Sequence, residues 1–462
     1  MSGALFAILA YLLVQFGIGA WVSRRIHTEA DYLVAGRRLG YWLMTFSIFA
    51  TWFGAETVIG SAGVVYSEGV SIASAEPFGY GLCLILMGLL FAVPLWRRKL
   101  TTLADLFRDR FSVDVERIAA VILIPGSILW AAAQMRAFGQ VLSIASGTLS
   151  PDIAIGVAAG ITILYTAFGG LLADAMTDLV QGIMVILGIT IVFVAVVSQL
   201  GGLGAMTDAL ADPARVQLRP TGPWLEVAEA WAIPVCGSLV TTEIVGRIVG
   251  ARSASVARNS SLMAGGMYIV IGTMPVMLGL VGARLITGLD DPEQVLPALA
   301  QQLLPGVLYA IFAGGLVSAI LSTVDSTLLV ASGILSHNLL VPWLRVTDEA
   351  KKVRLARAGV LAFGVIAYVL AVNARGVFAL VEQASAFGSA GTLVAVSFGL
   401  FTTFGGARAA GATLMVSVVS YLGSVIGGAS YPFLLSLAAS LAAYVLVAIT
   451  ERNRVPQSMR RF

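Results

Sequence analysis

Apolar runs of about 20 residues recur from one end of this chain to the other, and they constrain its fold more than any other feature. As a helix, each run is long enough to cross about 30 Å of hydrocarbon. In lipid, backbone amides and carbonyls find no water, so a spanning segment must satisfy them internally, which a helix does. Only 11% of the residues are charged, against about 25% in soluble domains. So few charges cannot make a water-soluble surface, and lipid is expected to be the solvent for much of the chain. The reading is an all-α membrane protein.

Thirteen spans are predicted, at about 3–22, 41–68, 72–95, 117–147, 151–169, 171–200, 224–250, 260–287, 306–340, 354–376, 378–404, 409–429 and 431–451. With the N-terminus outside and the C-terminus inside, 23 of the 28 Lys and Arg residues fall in inner segments. These include Arg24, Arg25, Arg37, Arg38, Arg247, Arg252, Arg460 and Arg461, while Arg215, Arg219, Arg284 and Arg375 fall outside. That bias is the one the positive-inside rule requires. Arg136 is the single Lys or Arg counted with neither side and so placed inside a span. The first run lacks a basic leader and a small-residue cleavage site, so it reads as a retained helix. Cys83 and Cys236 lie in apolar runs and read as reduced packing residues. The net charge of +3 says little about partners; neither nucleic acid nor an obligate protein partner is expected. A multi-pass protein of the cell membrane, and of a prokaryotic inner membrane in particular, is.

Two spans look broken. The second contains Ala50-Thr51-Trp52-Phe53-Gly54-Ala55-Glu56-Thr57, and the seventh Pro234, Gly237, Thr241, Thr242, Glu243 and Gly246. A mid-bilayer carboxylate costs about 2.5 kcal/mol or more unless paired or wet. Each break opens a set of five spans, and paired broken helices at corresponding positions point to an inverted-repeat transporter with a midplane site. Single glycines would also suit close helix packing, but that does not account for a repeated, carboxylate-bearing break.

The ninth span carries Ala319, Ser322, Thr323 and Ser326 at i, i+3, i+4 and i+7, one helix face, with Asp325 at its border. Oxygen ligands gathered on one face suit a hard cation. A lone Ser would be explained by back-bonding to its own helix; three hydroxyls beside an intramembrane Asp are not. In the sixth span Asp174, Thr177, Asp178 and Gln181 also share a face. No metal-ligand cluster or nucleophile pair is legible around His27 or His337, so enzymatic chemistry is not expected.

These segments resemble the sodium:solute symporter family, which includes sodium-coupled glucose, proline, sialate and choline carriers. The likeness rests on Asp31-Tyr32-Leu33-Val34-Ala35-Gly36-Arg37-Arg38, on Phe168-Gly169-Gly170-Leu171 with Thr177-Asp178-Leu179-Val180-Gln181, and on Leu321-Ser322-Thr323-Val324-Asp325-Ser326. It implies a leucine-transporter (LeuT-type) inverted-repeat fold in a single domain, 1–462. Residues 3–40 would form a leading helix and inner loop, 41–404 the five-plus-five core, and 405–462 two trailing helices and a short tail. It further implies a sodium site of backbone carbonyls from Ala50, Phe53 and Ala319 with hydroxyls of Ser322 and Thr323. A second cation site found in some members would map to Asp178, Ser322, Asp325 and Ser326. Sodium is the implied coupling ion, with no other cofactor.

Local likeness is strongest to the family's high-affinity choline carriers, in Ala50-Thr51-Trp52, Gly79-Tyr80 and Trp130-Ala131-Ala132-Ala133. Trp52, Tyr80 and Trp130 fall where those carriers place aromatic rings, whereas Thr241 stands where they carry a further Trp. The expected substrate pocket comprises Trp52, Glu56, Thr57, Glu76, Tyr80, Trp130, Arg136 and Thr241. Arg136 resembles the arginine with which sialate carriers hold a carboxylate, which favours a zwitterion or organic acid, amino-acid-like or betaine-like. A choline-like cation carrier, a proton-coupled carrier and a transporter-fold sensor are the alternatives. The chain runs about ten residues past the last span, and no signalling domain is expected there.

Overall fold

A computed structural model describes residues 3–24, 26–220, 222–374 and 376–454. Arg25, Arg375, Arg460 and Arg461, which enter the charge balance above, lie outside the described residues. Each of the thirteen expected segments holds helix. Among the described residues ten helices are long and apolar enough to cross a membrane, and a bent pair makes an eleventh. Two shorter apolar helices, Ile8–Ser23 and Pro151–Leu164, occupy the remaining segments.

We name the main helices α1 (Gly3–Ser23), α2 (Tyr41–Trp52), α3 (Glu56–Glu68), α4 (Phe78–Arg97), α5 (Val113–Ser146), α6 (Pro151–Gln199), α7 (Trp224–Ala232) and α8 (Thr242–Gly250). They continue as α9 (Ala254–Leu285), α10 (Gly306–Ile334), α11 (Glu349–Asn373), α12 (Val377–Ala386), α13 (Ser389–Phe401), α14 (Ala407–Ile426) and α15 (Pro432–Arg454). Large apolar side chains such as Leu13, Val194, Val270 and Val419 are exposed, as a lipid-facing exterior requires.

The second span breaks where expected. α2 ends at Trp52, Phe53 leaves the helical region (φ −87°, ψ 63°), and α3 departs at 54° to α2. The freed amide of Ala55 donates to Gln134 Oε1 of α5 at 2.9 Å, so a neighbouring helix satisfies the interrupted backbone. In the seventh span Pro234 contributes no amide donor, the helix widens over Ile233–Gly237, and turns at 238–240 separate it from α8.

α6 consists of two arms meeting at Gly170, whose φ of 67° and ψ of 170° are reserved for glycine. A Cβ there would stand 2.8 Å from Tyr32 Cδ2. The Gly169-Gly170 motif thus marks the joint between the fifth and sixth spans. α10 lies at the centre, packed on α6 and α5 and reached by α2 and α8. α14 and α15 pair with each other at the end of the chain and pack on α13.

Candidate functional site

The break between α2 and α3 faces α10. Ser322 Oγ donates to the Ala50 carbonyl at 2.7 Å, and Thr323 Oγ1 donates to the Thr51 carbonyl at 2.9 Å. Both hydroxyls also reach the Ala319 carbonyl, at 3.0 and 3.1 Å. Four of the five expected sodium ligands, Ala50, Ala319, Ser322 and Thr323, therefore converge, and Phe53 sits at the break itself with its ring buried. Thr51 and Tyr11 add oxygen nearby: Thr51 Oγ1 lies 3.2 Å from Ser326 Oγ, and Tyr11 contacts Ser318 at 2.6 Å. The set is all oxygen, as a hard cation prefers.

Each side chain expected at a second cation site already has a hydrogen-bond partner, and Asp178 keeps one oxygen, Oδ1, without one. Arg247 of α8 is 0% exposed. Its Nη2 lies 2.9 Å from Asp174 Oδ2, 3.1 Å from Asp178 Oδ2 and 2.5 Å from Ser326 Oγ. Ser47 of α2 donates to Asp178 at 2.5 Å and accepts from Arg247 Nε at 2.9 Å. Asp325 turns the other way, accepting from Thr166 of α6 at 2.6 Å. Two expectations need correction here. Arg136 is not the single cation within a span, and Arg247 does not lie in an inner loop. The apolar run that contains Arg247 continues through Ile248 and Val249 to Gly250, and Glu243 stands at i−4 on the same face. That was the available signal.

Beyond the α2–α3 break lies an aromatic cluster. Trp52 and Trp130 meet edge to face at 5.7 Å, Trp130 and Tyr80 lie 6.4 Å apart, and Tyr268 of α9 is 6.3 Å from Tyr80 and 5.3 Å from Phe53. Two buried carboxylates sit among these rings. Glu76 Oε1 accepts from Thr57 Oγ1 at 2.6 Å and Tyr268 Oη at 2.7 Å, and the two hydroxyl oxygens lie in close contact with each other. Glu56 Oε2 accepts from Gln134 Nε2 at 2.8 Å. Glu76 Oε2 has no hydrogen-bond partner, and neither carboxylate is ion-paired among the described residues. A cavity of about 220 Å³ opens onto Glu56, Glu76 and Tyr80, with Glu68 and Glu382 farther along its wall. A second, of about 40 Å³, is lined by Trp130, Ser127, Thr241 and Glu243. Both are below the roughly 300–1,000 Å³ of drug-sized sites, so a small solute is the matching guest.

Seven of the eight expected pocket residues thus line this cluster or its two cavities; Arg136 does not. It stands six residues beyond Trp130, about 240° around α5, and donates through Nη1 to the Ala371 carbonyl at 3.2 Å. Ala371 lies in the last turn of α11, where carbonyls lack intrahelical partners, so Arg136 caps a helix end. Gln134, Tyr268 and Ser385, which bonds Tyr80 at 3.0 Å, went unread in the sequence. Isolated polar residues in apolar helices give no sign of which neighbour they will meet.

Paired broken spans, oxygens converging at one break and carboxylate-bearing cavities beside the breaks together define a multi-pass membrane transporter of the LeuT-like, broken-helix class. The model of the sodium:solute symporter family matches residues 32–418. The chain belongs to the sodium:solute symporter family, which comprises transporters and not enzymes. It is 28% identical over 415 residues to the human high affinity choline transporter 1, spanning 81% of this chain and 69% of that one. To the Drosophila melanogaster high-affinity choline transporter 1 it is 25% identical, spanning 83% of this chain but only 64%, under two thirds, of the relative. It is also 25% identical to the sodium/glucose cotransporter of Vibrio parahaemolyticus, over 85% and 79% of the two chains. A solved structure of a Na+-coupled sialic acid symporter superposes with a TM-score of 0.84 at 16% identity, over 97% of this chain and 98% of that one.

Proposed function

We propose that this protein carries out sodium-coupled symport, by alternating access, of a small organic cation of the quaternary-ammonium type, choline being the representative. The observation that carries this reading is the pair of buried carboxylates, Glu56 and Glu76, set among Trp52, Tyr80, Trp130 and Tyr268 with no basic side chain paired to them among the described residues. Aromatic faces attract such cations by about 0.5–2 kcal/mol each, and buried carboxylates lacking a counter-ion favour a guest that brings positive charge. Arg136 gives a carboxylate-bearing substrate less support, since its Nη1 bonds α11 and it lines neither cavity. Similarity to choline transporters in human and fly supports the same choice. Sodium would be held by the Ala50, Phe53 and Ala319 carbonyls with Ser322 and Thr323, joining the broken span to α10. Residues 1–462 would act as one transport unit in a cell membrane.

Uptake of radiolabelled choline into proteoliposomes tests it. Uptake should require a sodium gradient and fail when potassium replaces sodium. Excess choline should compete more strongly than glycine betaine, which shares the ammonium but adds a carboxylate. Sodium-driven uptake of betaine, proline or sialate with no response to choline would overturn the substrate assignment, and uptake driven equally by a proton gradient would overturn the coupling ion.

A further inference from the structure

Arg247 touches neither the expected sodium ligands nor the aromatic cluster, yet it is the largest fully buried cationic side chain and lies between the two. On one side its Nη2 bonds Ser326 Oγ at 2.5 Å. Ser326 Oγ in turn bonds the Ser322 carbonyl at 2.7 Å and lies 3.2 Å from Thr51 Oγ1. Ser322 and Thr51 are two of the residues through which α10 and the α2 end of the break are hydrogen-bonded, with Thr323 and Ala50. On the other side Arg247 Nη1 reaches the Glu243 carbonyl at 3.3 Å, one turn back on α8. Glu243 Oε1 accepts from Ser127 Oγ at 2.5 Å, and Ser127 is also 3.2 Å from Thr242 Oγ1. Ser127 lines the smaller cavity together with Trp130, three residues on. A path of contacts thus runs Ser322–Ser326–Arg247–Glu243–Ser127, passing within Ser322 and within Glu243 from backbone carbonyl to side chain, and ends beside Trp130.

We propose that Arg247 is a positioning residue that couples the ion site to the substrate cavity. A guanidinium fixes several bonds at once through its planar fork, so Arg247 holds α8, the inner half of the second broken span, in register with α2, α6 and α10. Sodium held between the Ser322 and Thr323 hydroxyls and the α2 carbonyls replaces the hydrogen bonds that join them and so shifts Ser326 and Thr51. Arg247 passes that shift to Glu243 and to the wall of the smaller cavity. Asp174 and Asp178 balance its charge and anchor it to α6. The side chain contributes no ligand to either site; its contribution is the dependence of one site on the other. Coupling of this kind is reciprocal for binding, typically 5–150-fold. The proposal rests on the sodium site assigned above.

The test is equilibrium binding to purified full-length protein. Sodium alone is titrated by intrinsic tryptophan fluorescence, and choline is then titrated with and without saturating sodium. Wild type should bind choline at least fivefold more tightly in sodium. In Arg247→Gln, and in Ser326→Ala should that variant fold poorly, half-saturation for sodium without choline should rise several-fold and the choline ratio should fall toward one. Ser127→Ala, at the far end, should leave sodium half-saturation unchanged and still lower the ratio. Arg247→Lys, which keeps the charge but not the fork, should recover only part of it. If Ser322→Ala with Thr323→Ala weakens sodium binding while Arg247→Gln and Ser326→Ala leave both half-saturation and ratio at wild-type values, the coupling role is wrong and the sodium site stands. If the double variant also binds sodium normally, the sodium-site assignment has failed, and the coupling role falls with it.

Discussion

Glu76 and Arg136, both expected in the substrate pocket, carry opposite charges and have opposite places in the structure. Glu76 keeps one oxygen hydrogen-bonded to Thr57 and Tyr268 and leaves the other without a partner. Arg136 has left the site to cap α11. Two predictions follow from that difference. Glu76→Gln keeps the shape and removes the charge facing a cationic substrate. At an effective dielectric of about 20, a unit charge pair 4 Å apart is worth about 4 kcal/mol, part of which offsets lost hydration. We expect apparent choline affinity to fall at least tenfold in uptake assays, with sodium half-saturation nearly unchanged. Arg136→Ala should leave choline affinity within about twofold and act on stability instead. The α11 carbonyl loses a charged donor, a loss of about 1.5–3 kcal/mol, visible as a lower Tm in detergent. A large affinity loss in Arg136→Ala protein of normal Tm would return the arginine to the substrate site.

At the scale of elements, the joint in α6 gives a matched pair of variants. Gly170 adopts a glycine-only conformation and has no room for a Cβ beside Tyr32. A Cβ on Gly169 would meet only Ala173 Cβ at an ordinary 3.4 Å. Gly170→Ala should therefore lower stability by about 1–3 kcal/mol from backbone conformation alone. Gly169→Ala, in a helical arm, should be neutral or slightly stabilising. Equal melting temperatures for the two would contradict this account of the joint.

The helix Leu103–Arg110, between the third and fourth spans, offers a pH test. Burial pushes the Asp105 carboxyl up. The His337 ring at 3.3 Å and the amides of Thr101 and Thr102 outweigh that burial and pull it down to about 2 from 3.8. Because the folded-state value is depressed, the stability it brings is fully present above about pH 4 and is lost as pH falls through about 2. Its size is on the order of 2 kcal/mol. Asp105→Asn should lower Tm at neutral pH, and the gap from wild type should close on acidification. A constant gap from pH 7 down to about pH 2 would show that the charge is not responsible.

For the whole molecule, the proposed coupling-ion site belongs to no single element. α10 supplies Ser322 and Thr323, and the broken span supplies Ala50 and Thr51, some 270 residues earlier in the chain. Sodium bound there should stabilise the packed bundle by mass action. Sodium chloride should raise Tm relative to potassium chloride, and Ser322→Ala with Thr323→Ala should abolish that difference. An undiminished sodium shift in the double variant would place the ion elsewhere.

Much of this was legible in the sequence, because solvent and backbone conformation act locally. Apolar runs of bilayer length dictate helices wherever they occur. Gly54 and Gly170 mark the break and the joint, and a 3.6-residue period suffices to gather Ala319, Ser322, Thr323 and Ser326 on one face. Carboxylates at Glu56 and Glu243 announced cavities, since hydrocarbon tolerates them nowhere else. The partner of each buried polar group was decided by the tertiary structure alone. One period cannot tell which neighbouring helix a face will meet, so Gln134 bonding the broken backbone, Tyr268 closing on Glu76 and Arg136 turning to the end of α11 are outcomes of packing. Arg247 is the sharpest case. Its sequence position suits an inner loop as well as a core, and only the approach of α2, α6 and α10 around α8 supplies the oxygens that let a guanidinium remain buried.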